Sequence, residues 1–107
     1  MATAPKAEVL HLADMVNYQD GSVVSRQITK MAAGNVTLFA FDQDQELSEH
    51  TAPFDALAHI LEGSAEIKIS GKAFQLETGE AIIMPANEPH ALKATNPFKM
   101  LLTMIRN

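Results

Sequence analysis

Apolar and polar residues alternate in short segments along this chain, and no segment keeps the periodicity of an amphipathic helix. The clearest alternation covers residues 64–70 (SAEIKIS), with alanine and isoleucine on one face and Glu66 and Lys68 on the other. That pattern is typical of a strand with one solvated face. Residues 70–72 (Ser-Gly-Lys) fit a tight turn, after which residues 73–77 pair back. This stretch therefore predicts a β-hairpin.

The other apolar segments are equally short, and turn-forming residues separate them. They predict further strands at residues 22–30, 36–42, 56–61, 81–84, 90–95 and 98–105. Residues 9–16 fit either a short strand or a helical turn, residues 42–49 a polar loop, and residues 1–8 a flexible lead-in. Short strands that recur about every 8 to 12 residues favour an all-β sandwich or barrel. We expect a single domain over residues 1–107.

Two glycines are expected at turns between strands. Glu62-Gly63 ends the strand at 56–61, and Gly79 lies between Thr78 and Glu80 before the strand at 81–84. Glycine reaches positive φ without the cost that a Cβ atom imposes. We therefore expect both glycines to reverse the chain.

The last predicted strand is apolar on both faces. Positions 98, 100, 102 and 104 carry Phe, Met, Leu and Met, while Leu101 and Ile105 lie on the opposite face. A strand of this kind is usually buried on both sides, and a small barrel has only one interior. The outer side therefore needs a cover, which predicts a homodimer that buries this face, with His59 near it. The alternative is cover by the N-terminal segment.

Composition and charge exclude several classes of protein. The chain of 107 residues is 47% hydrophobic and 20% charged, which is typical of a globular domain. It has no cysteine, so disulfides, thiolate metal sites and cysteine nucleophiles are absent. The net charge of −5 and the scattered basic residues disfavour nucleic acid as a partner. The sequence shows neither a secretory signal nor a membrane-length apolar stretch, so we expect no membrane association and a cytoplasmic location.

Two of the four histidines stand where predicted strands begin. His50 follows the polar loop, and His90 follows the Pro-Ala-Asn-Glu-Pro loop at residues 85–89. Two such histidines could meet at the mouth of a barrel, although a single histidine is more often an ordinary polar residue than a ligand.

The spacing of these residues resembles that of the small single-domain cupins. The cupin motifs read G-x5-H-x-H-x(3,4)-E-x6-G and G-x5-P-x-G-x2-H-x3-N. In this chain the first motif matches His50 and Gly63, and the second matches Gly79, Pro85 and His90. The resemblance covers about residues 36–105. It implies a double-stranded β-helix, or jelly-roll, barrel that is commonly dimeric.

The chain departs from those motifs at metal-binding positions. The second histidine of the family falls on Ala52 and the glutamate on Ala56, so only His50 and His90 remain of its ligand set. Two imidazoles make a weak site for a divalent metal such as zinc, nickel, iron or manganese. Asp55 and His59 are the candidates to replace the missing ligands, and each would need an irregular strand to point inward.

The lost ligands also predict a roomier interior. Ala52, Ala56 and Ala58 are small and should line the mouth or the interior near the histidines. Four larger apolar residues are candidates to line or fill the remainder, and plain core packing is the alternative for them. They are Phe41, Met84, Met100 and Met104.

Three functions from different classes follow from these observations. The first is a barrel that binds a small, partly apolar molecule with His50 and His90 as polar anchors. The second is a metal-dependent cupin enzyme, of dioxygenase or isomerase type, with a reduced ligand set. The third is a barrel that serves protein association. The ligand losses favour the first, and the sequence leaves open whether the protein is an enzyme and which molecule it binds.

Overall fold

The computed structural model describes residues 3–106 and is built almost entirely of strands. A short 3-10 turn at Leu12–Asp14 is its one helical element in that range. The strands are β1 (Val23–Met31), β2 (Gly34–Phe41), β3 (Glu46–His50), β4 (Asp55–Ile69), β5 (Lys72–Glu77), β6 (Ala81–Met84), β7 (His90–Lys93) and β8 (Phe98–Ile105). The predicted all-β fold is confirmed.

The strands form one curled antiparallel sheet around a single interior. Their order is β1-β2-β8-β4-β7-β3, and β5 and β6 also pair with β4. The 15-residue strand β4 connects the two halves of the sheet. Its first half pairs with β6 and β8, and its second half pairs with β5 and β7. Every strand except β1 therefore pairs with β4 either directly or through one intervening strand.

The prediction of two strands at 56–61 and 64–70 was wrong, because β4 runs through both. The pairing of β4 with β8 shifts register between Ile60 and Glu62, so the strand bends at a bulge rather than ending. Gly63 has φ +81° inside this strand, whereas Gly79, with φ +89°, lies in the expected turn before β6. Only the second of the two glycines reverses the chain.

The polar loop predicted at residues 42–49 also contains a strand. The segment Glu46–His50 pairs with β7, although four of its five side chains are exposed and only Leu47 is partly buried. A strand at the edge of a sheet needs few apolar side chains, since its backbone hydrogen bonds come from the neighbouring strand. The local sequence therefore gave little sign of β3.

The interior of the barrel is one cluster of apolar side chains. Its largest fully buried members include Phe41, Phe98, Ile60, Ile67 and Met100. The rings of Phe41 and Phe98 stack with their centroids 4.4 Å apart. The residues come from both halves of the sheet, so the core is complete only in the closed barrel.

The N-terminal segment covers part of the outer face of the sheet. Val16 packs with Leu38 and Ala40 in a second apolar cluster, against which Leu101 is also packed. The Nζ atom of Lys99 donates to the carbonyl oxygen of Ala13 at 2.5 Å. The N-terminal segment therefore covers Leu101, which was the alternative to cover by a second subunit. Ile105 at the end of the same face is 67% exposed.

Residues before the 3-10 turn also contact the sheet. Ala4 is buried, and its N–H donates to the carbonyl oxygen of Ile28 in β1 at 2.9 Å. In the described part of the chain no helix is long and apolar enough to cross a membrane.

Candidate functional site

Two segments lie side by side at one end of the barrel and bring together residues that are far apart in sequence. These segments are residues 50–56 and 84–90. Two strand pairings join them at their ends, His50 with His90 and Ala56 with Met84. Two hydrogen bonds join them in between: the Asn87 N–H donates to the Ala52 carbonyl at 2.7 Å, and the Ala86 N–H donates to Asp55 Oδ1 at 2.8 Å. This end of the barrel therefore holds most positions that the sequence singled out.

The rings of His50 and His90 are in direct contact. Their Nε2 atoms lie 3.1 Å apart, and their ring centroids are 4.3 Å apart in an edge-to-face arrangement with an interplanar angle of 71°. The two residues are 40 positions apart in the chain, and the pairing of β3 with β7 brings them together. The prediction that the two imidazoles approach each other within the reach of one ligand is therefore met.

Backbone carbonyl groups fix the orientation of both rings. The Nδ1 atom of His50 lies 2.8 Å from the carbonyl oxygen of Ser48, and the Nδ1 atom of His90 lies 3.2 Å from that of Glu88. In each case the carbonyl belongs to the residue two positions earlier. Sequence analysis missed both groups, because every residue carries a carbonyl and only the fold decides where it points.

The two histidines differ in environment. His90 is buried, whereas His50 is exposed. Burial lowers the pKa of His90 below its usual value, and the nearby His50 lowers it further. The carbonyl of Glu88 has a smaller and opposite effect on the same pKa. Near neutral pH the His90 ring is therefore held in its uncharged form.

A hydrogen bond and a backbone contact hold the loop that precedes His90. The Ser70 hydroxyl donates to the Glu88 carboxylate, and the Ser70 N–H donates to the carbonyl oxygen of Pro89 at 2.8 Å. The neighbouring Ile69 is the cross-strand partner of His90 and packs against the core. The buried imidazole thus lies between an apolar wall and a fixed loop.

The donor set at this end of the barrel is incomplete for a resident divalent metal. Alanine occupies positions 52 and 56, and Asp55 uses Oδ1 to accept the N–H of Ala86. His59 lies on the outer face of β4, where it is the cross-strand partner of Leu101. Across residues 3–106 no three His, Cys, Asp or Glu side chains are grouped so that they could hold a metal ion. Two imidazoles alone do not fit the three or four protein ligands of a zinc site.

The remaining candidate residues lie mainly in the core. Ala56, Ala58, Met84 and Met100 belong to the same buried cluster as Phe41, and Met104 packs against it. Ala52 is half-buried next to the loop at Asn87. Apolar side chains therefore surround the buried Ala56 and Ala58, where a roomier interior was expected. The larger candidates pack in the core, as the alternative for them predicts.

Comparisons with known proteins agree with this architecture. The family described as "Cupin domain" matches residues 37–105. A conserved protein of unknown function from Streptococcus pyogenes is 34% identical, with a TM-score of 0.91 over 100% of this chain and 96% of that chain. A cupin superfamily protein from Desulfitobacterium hafniense is 25% identical, with a TM-score of 0.91 over 99% of this chain and 97% of that chain.

A third solved structure is longer than this chain. The cupin 2 conserved barrel domain protein from Leptotrichia buccalis is 37% identical, with a TM-score of 0.88, and the match covers 91% of this chain but 47% of that one. None of the curated proteins compared with the chain matches it significantly. The family match, the full-length similarity and the curled eight-stranded sheet lead to one conclusion: this chain belongs to the cupin domain family and has its barrel fold.

Proposed function

We propose that this cupin barrel binds a small, partly apolar molecule at the end where His50 and His90 meet. The observation that carries the proposal is the 3.1 Å approach of the two Nε2 atoms at the end of an apolar barrel. Small-molecule sites typically combine apolar walls with a few converging polar groups. Ile69 and Leu92, which pack with the core beside the pair, would supply part of the apolar wall.

A resident metal is the second candidate that the family suggests, and the donor set argues against it. Metal-dependent cupin chemistry would need further ligands beside the two imidazoles, and alanine stands at both positions where the family motif has them. Non-haem iron sites of the oxygenase type use two histidines and a carboxylate. We therefore take the histidines as hydrogen-bonding anchors for the ligand itself.

Titration of the ¹⁵N-labelled protein with small ring compounds that carry one polar group tests this proposal. Backbone NMR signals of residues 50–56 and 84–90 should shift in a saturable way, while those of the outer face stay in place. His50→Ala and His90→Ala should each weaken binding about tenfold, the value of one lost hydrogen bond of about 1.4 kcal/mol.

His11→Ala is the matched control, because His11 is exposed and belongs to the N-terminal segment rather than to residues 50–56 or 84–90. It should bind the compounds like the wild type. Shifts confined to other parts of the barrel, or equal binding by all three variants, would refute the proposed site.

A further inference from the structure

The contacts of the histidine pair need one more proton than two neutral imidazoles carry. Three contacts lie in series: the Ser48 carbonyl to His50, His50 to His90, and His90 to the Glu88 carbonyl. Each becomes a hydrogen bond only if it contains one proton, and the carbonyl oxygens at both ends bring none. A neutral imidazole has a single N–H, so the neutral pair can complete two of the three contacts.

The arrangement that satisfies both carbonyl groups places those two protons on the Nδ1 atoms. A carbonyl oxygen can only accept, so both Nδ1 atoms must donate if the contacts at 2.8 and 3.2 Å are to be hydrogen bonds. Both Nε2 atoms are then unprotonated, and two acceptors lie 3.1 Å apart. Two converging acceptors form an incomplete site that a hydrogen-bond donor would complete.

An additional proton on the pair could also complete the contacts, but the surroundings oppose a positive charge there. His90 is buried, and burial disfavours the charged form of an imidazole. The pair would also have no free N–H for an anion, since all of them would be used within the three contacts.

From these contacts we infer that the ligand of this site presents a hydrogen-bond donor, a hydroxyl or a protonated amine, to the two Nε2 atoms, and is not a carboxylate or another anion. The inference rests on the proposed function and names its ligand class. The donor group would supply the missing proton, because both acceptors lie close enough together to share one donor. A carboxylate in the same place would add a third acceptor to two that already face each other.

Three compounds with one ring and different polar groups test the inference: benzyl alcohol, benzylamine and benzoate. In NMR titrations at pH 8, the alcohol and the amine should each bind about tenfold more tightly than benzoate, the ratio expected for one hydrogen bond gained. His50→Phe keeps a ring but removes one of the two acceptors, so it should reduce this preference. His11→Ala should retain it.

The outcomes separate this inference from the proposed function. Preferential binding of benzoate at the pair would overturn the inference and leave the binding site in place. Failure of all three compounds to shift the signals of residues 50–56 and 84–90 would count against both.

A second measurement does not depend on any variant. Long-range ¹H–¹⁵N correlation spectra of the free wild-type protein at pH 8 distinguish the two tautomers of each ring. Both rings should be protonated at Nδ1 and unprotonated at Nε2. A free protein in which either ring carries its proton at Nε2 would contradict the arrangement of acceptors.

Discussion

Gly63 lies so close to Pro97 that no side chain fits between them. A Cβ atom at position 63 would stand 2.2 Å from the carbonyl oxygen of Pro97 and 3.0 Å from the Cα atom of Phe98. The backbone at Gly63 also has φ +81°, which L side chains rarely adopt. This contact lies where β4 passes from its pairing with β6 and β8 to its pairing with β5 and β7.

Gly63→Ala should therefore destabilise the protein by at least about 2 kcal/mol, through backbone strain and overpacking together. Gly71→Ala is the matched control, because Gly71 has φ +83° with no atom within 4 Å of the added Cβ. It should cost only about 1 kcal/mol. Urea denaturation of the two variants measures the difference, and equal losses would show that the contact with Pro97 is unimportant.

The lowered pKa of His90 predicts a specific dependence of stability on pH. Above about pH 6.5 the ring is neutral in both folded and unfolded states, so it adds no dependence. Below that pH the unfolded chain binds the proton first, and the free energy of unfolding falls by at most about 1.4 kcal/mol per pH unit for one proton. The loss levels off once the pH is below the folded-state pKa.

Urea denaturation between pH 8 and pH 5 tests this dependence. His90→Gln should lose stability less steeply over this range than the wild type, whereas His11→Gln, changed at an exposed position, should follow the wild type. If the free energy of unfolding falls equally with pH in the wild type and in His90→Gln, burial does not lower the pKa of this histidine.

The missing ligands predict weak metal binding that two substitutions should strengthen. Ala52→His with Ala56→Glu recreates the ligand set that the family motif implies, and three or four ligands bind zinc far more tightly than two. Calorimetric titration of tag-free protein with zinc should show affinity for the double variant that is orders of magnitude above the wild type. Tight binding of one zinc ion per chain by the wild type would show that the donor set has been misjudged.

The double variant also adds bulk and a carboxyl group beside the core, since Ala56 is buried. Its stability without metal should fall by about 1–3 kcal/mol, and its folding is checked first by circular dichroism.

Lys99 links the outer face of the sheet to the N-terminal segment through a hydrogen bond. Its side chain is only 10% exposed, donates to the Ala13 carbonyl, and places Nζ 5.2 Å from the centroid of the Tyr18 ring. Lys99→Met keeps most of the apolar stem but removes the donor, so stability should fall by about 1–3 kcal/mol.

Hydrogen exchange at Met15, whose N–H donates to Leu12, should become faster in this variant. The exposed Lys68 offers the control Lys68→Met, which should change neither stability nor exchange. Unchanged exchange in Lys99→Met would show that apolar packing alone holds the segment.

We propose that a second copy of the chain covers the exposed apolar part of the outer face. Leu57, Ile83, Ile105 and Met31 are 40, 58, 67 and 63% exposed and lie on neighbouring strands of this face. An apolar surface shared by adjacent strands is typical of an interaction site, and a two-fold dimer would bury it on both copies. This surface differs from the one first expected, because Leu101 is already covered.

Light scattering at micromolar concentration should give the mass of a dimer, and Ile83→Glu should shift it to that of a monomer. Val9→Glu changes an apolar residue that is 86% exposed in the N-terminal segment, outside this face, and should leave the dimer intact. A monomer mass for the wild type would refute the dimer.

Local pattern alone determined much of the fold. The alternation around Ile67 and Ile69 predicted their common inward face, and Ser70-Gly71-Lys72 predicted the hairpin into β5. The last strand was predicted with its observed bounds, Phe98–Ile105. In each case the side chains report directly on whether a face is buried, so the sequence contains the information.

Motif spacing predicted which two side chains form the site. It identified His50 and His90 as residues that meet, and the observed pairing of β3 with β7 brings them together. The alternation of side chains along a strand also placed His59 on the opposite face of β4 from Ala58, as observed. Motif spacing could not indicate the orientation of the imidazole rings, because the carbonyl groups of Ser48 and Glu88 that set it belong to the backbone.

Only the tertiary structure decided the remaining features. Residues 46–50 form a strand because β7 offers hydrogen-bonding partners, and β4 continues through Gly63 because residues 97–98 pack against its bare backbone. The outer side of Leu101 is covered by a segment more than 80 positions earlier in the chain. The physical reason is common to all three: a sequence pattern records which side chains avoid water, whereas backbone pairing and close approach depend on partners that only the folded chain brings near.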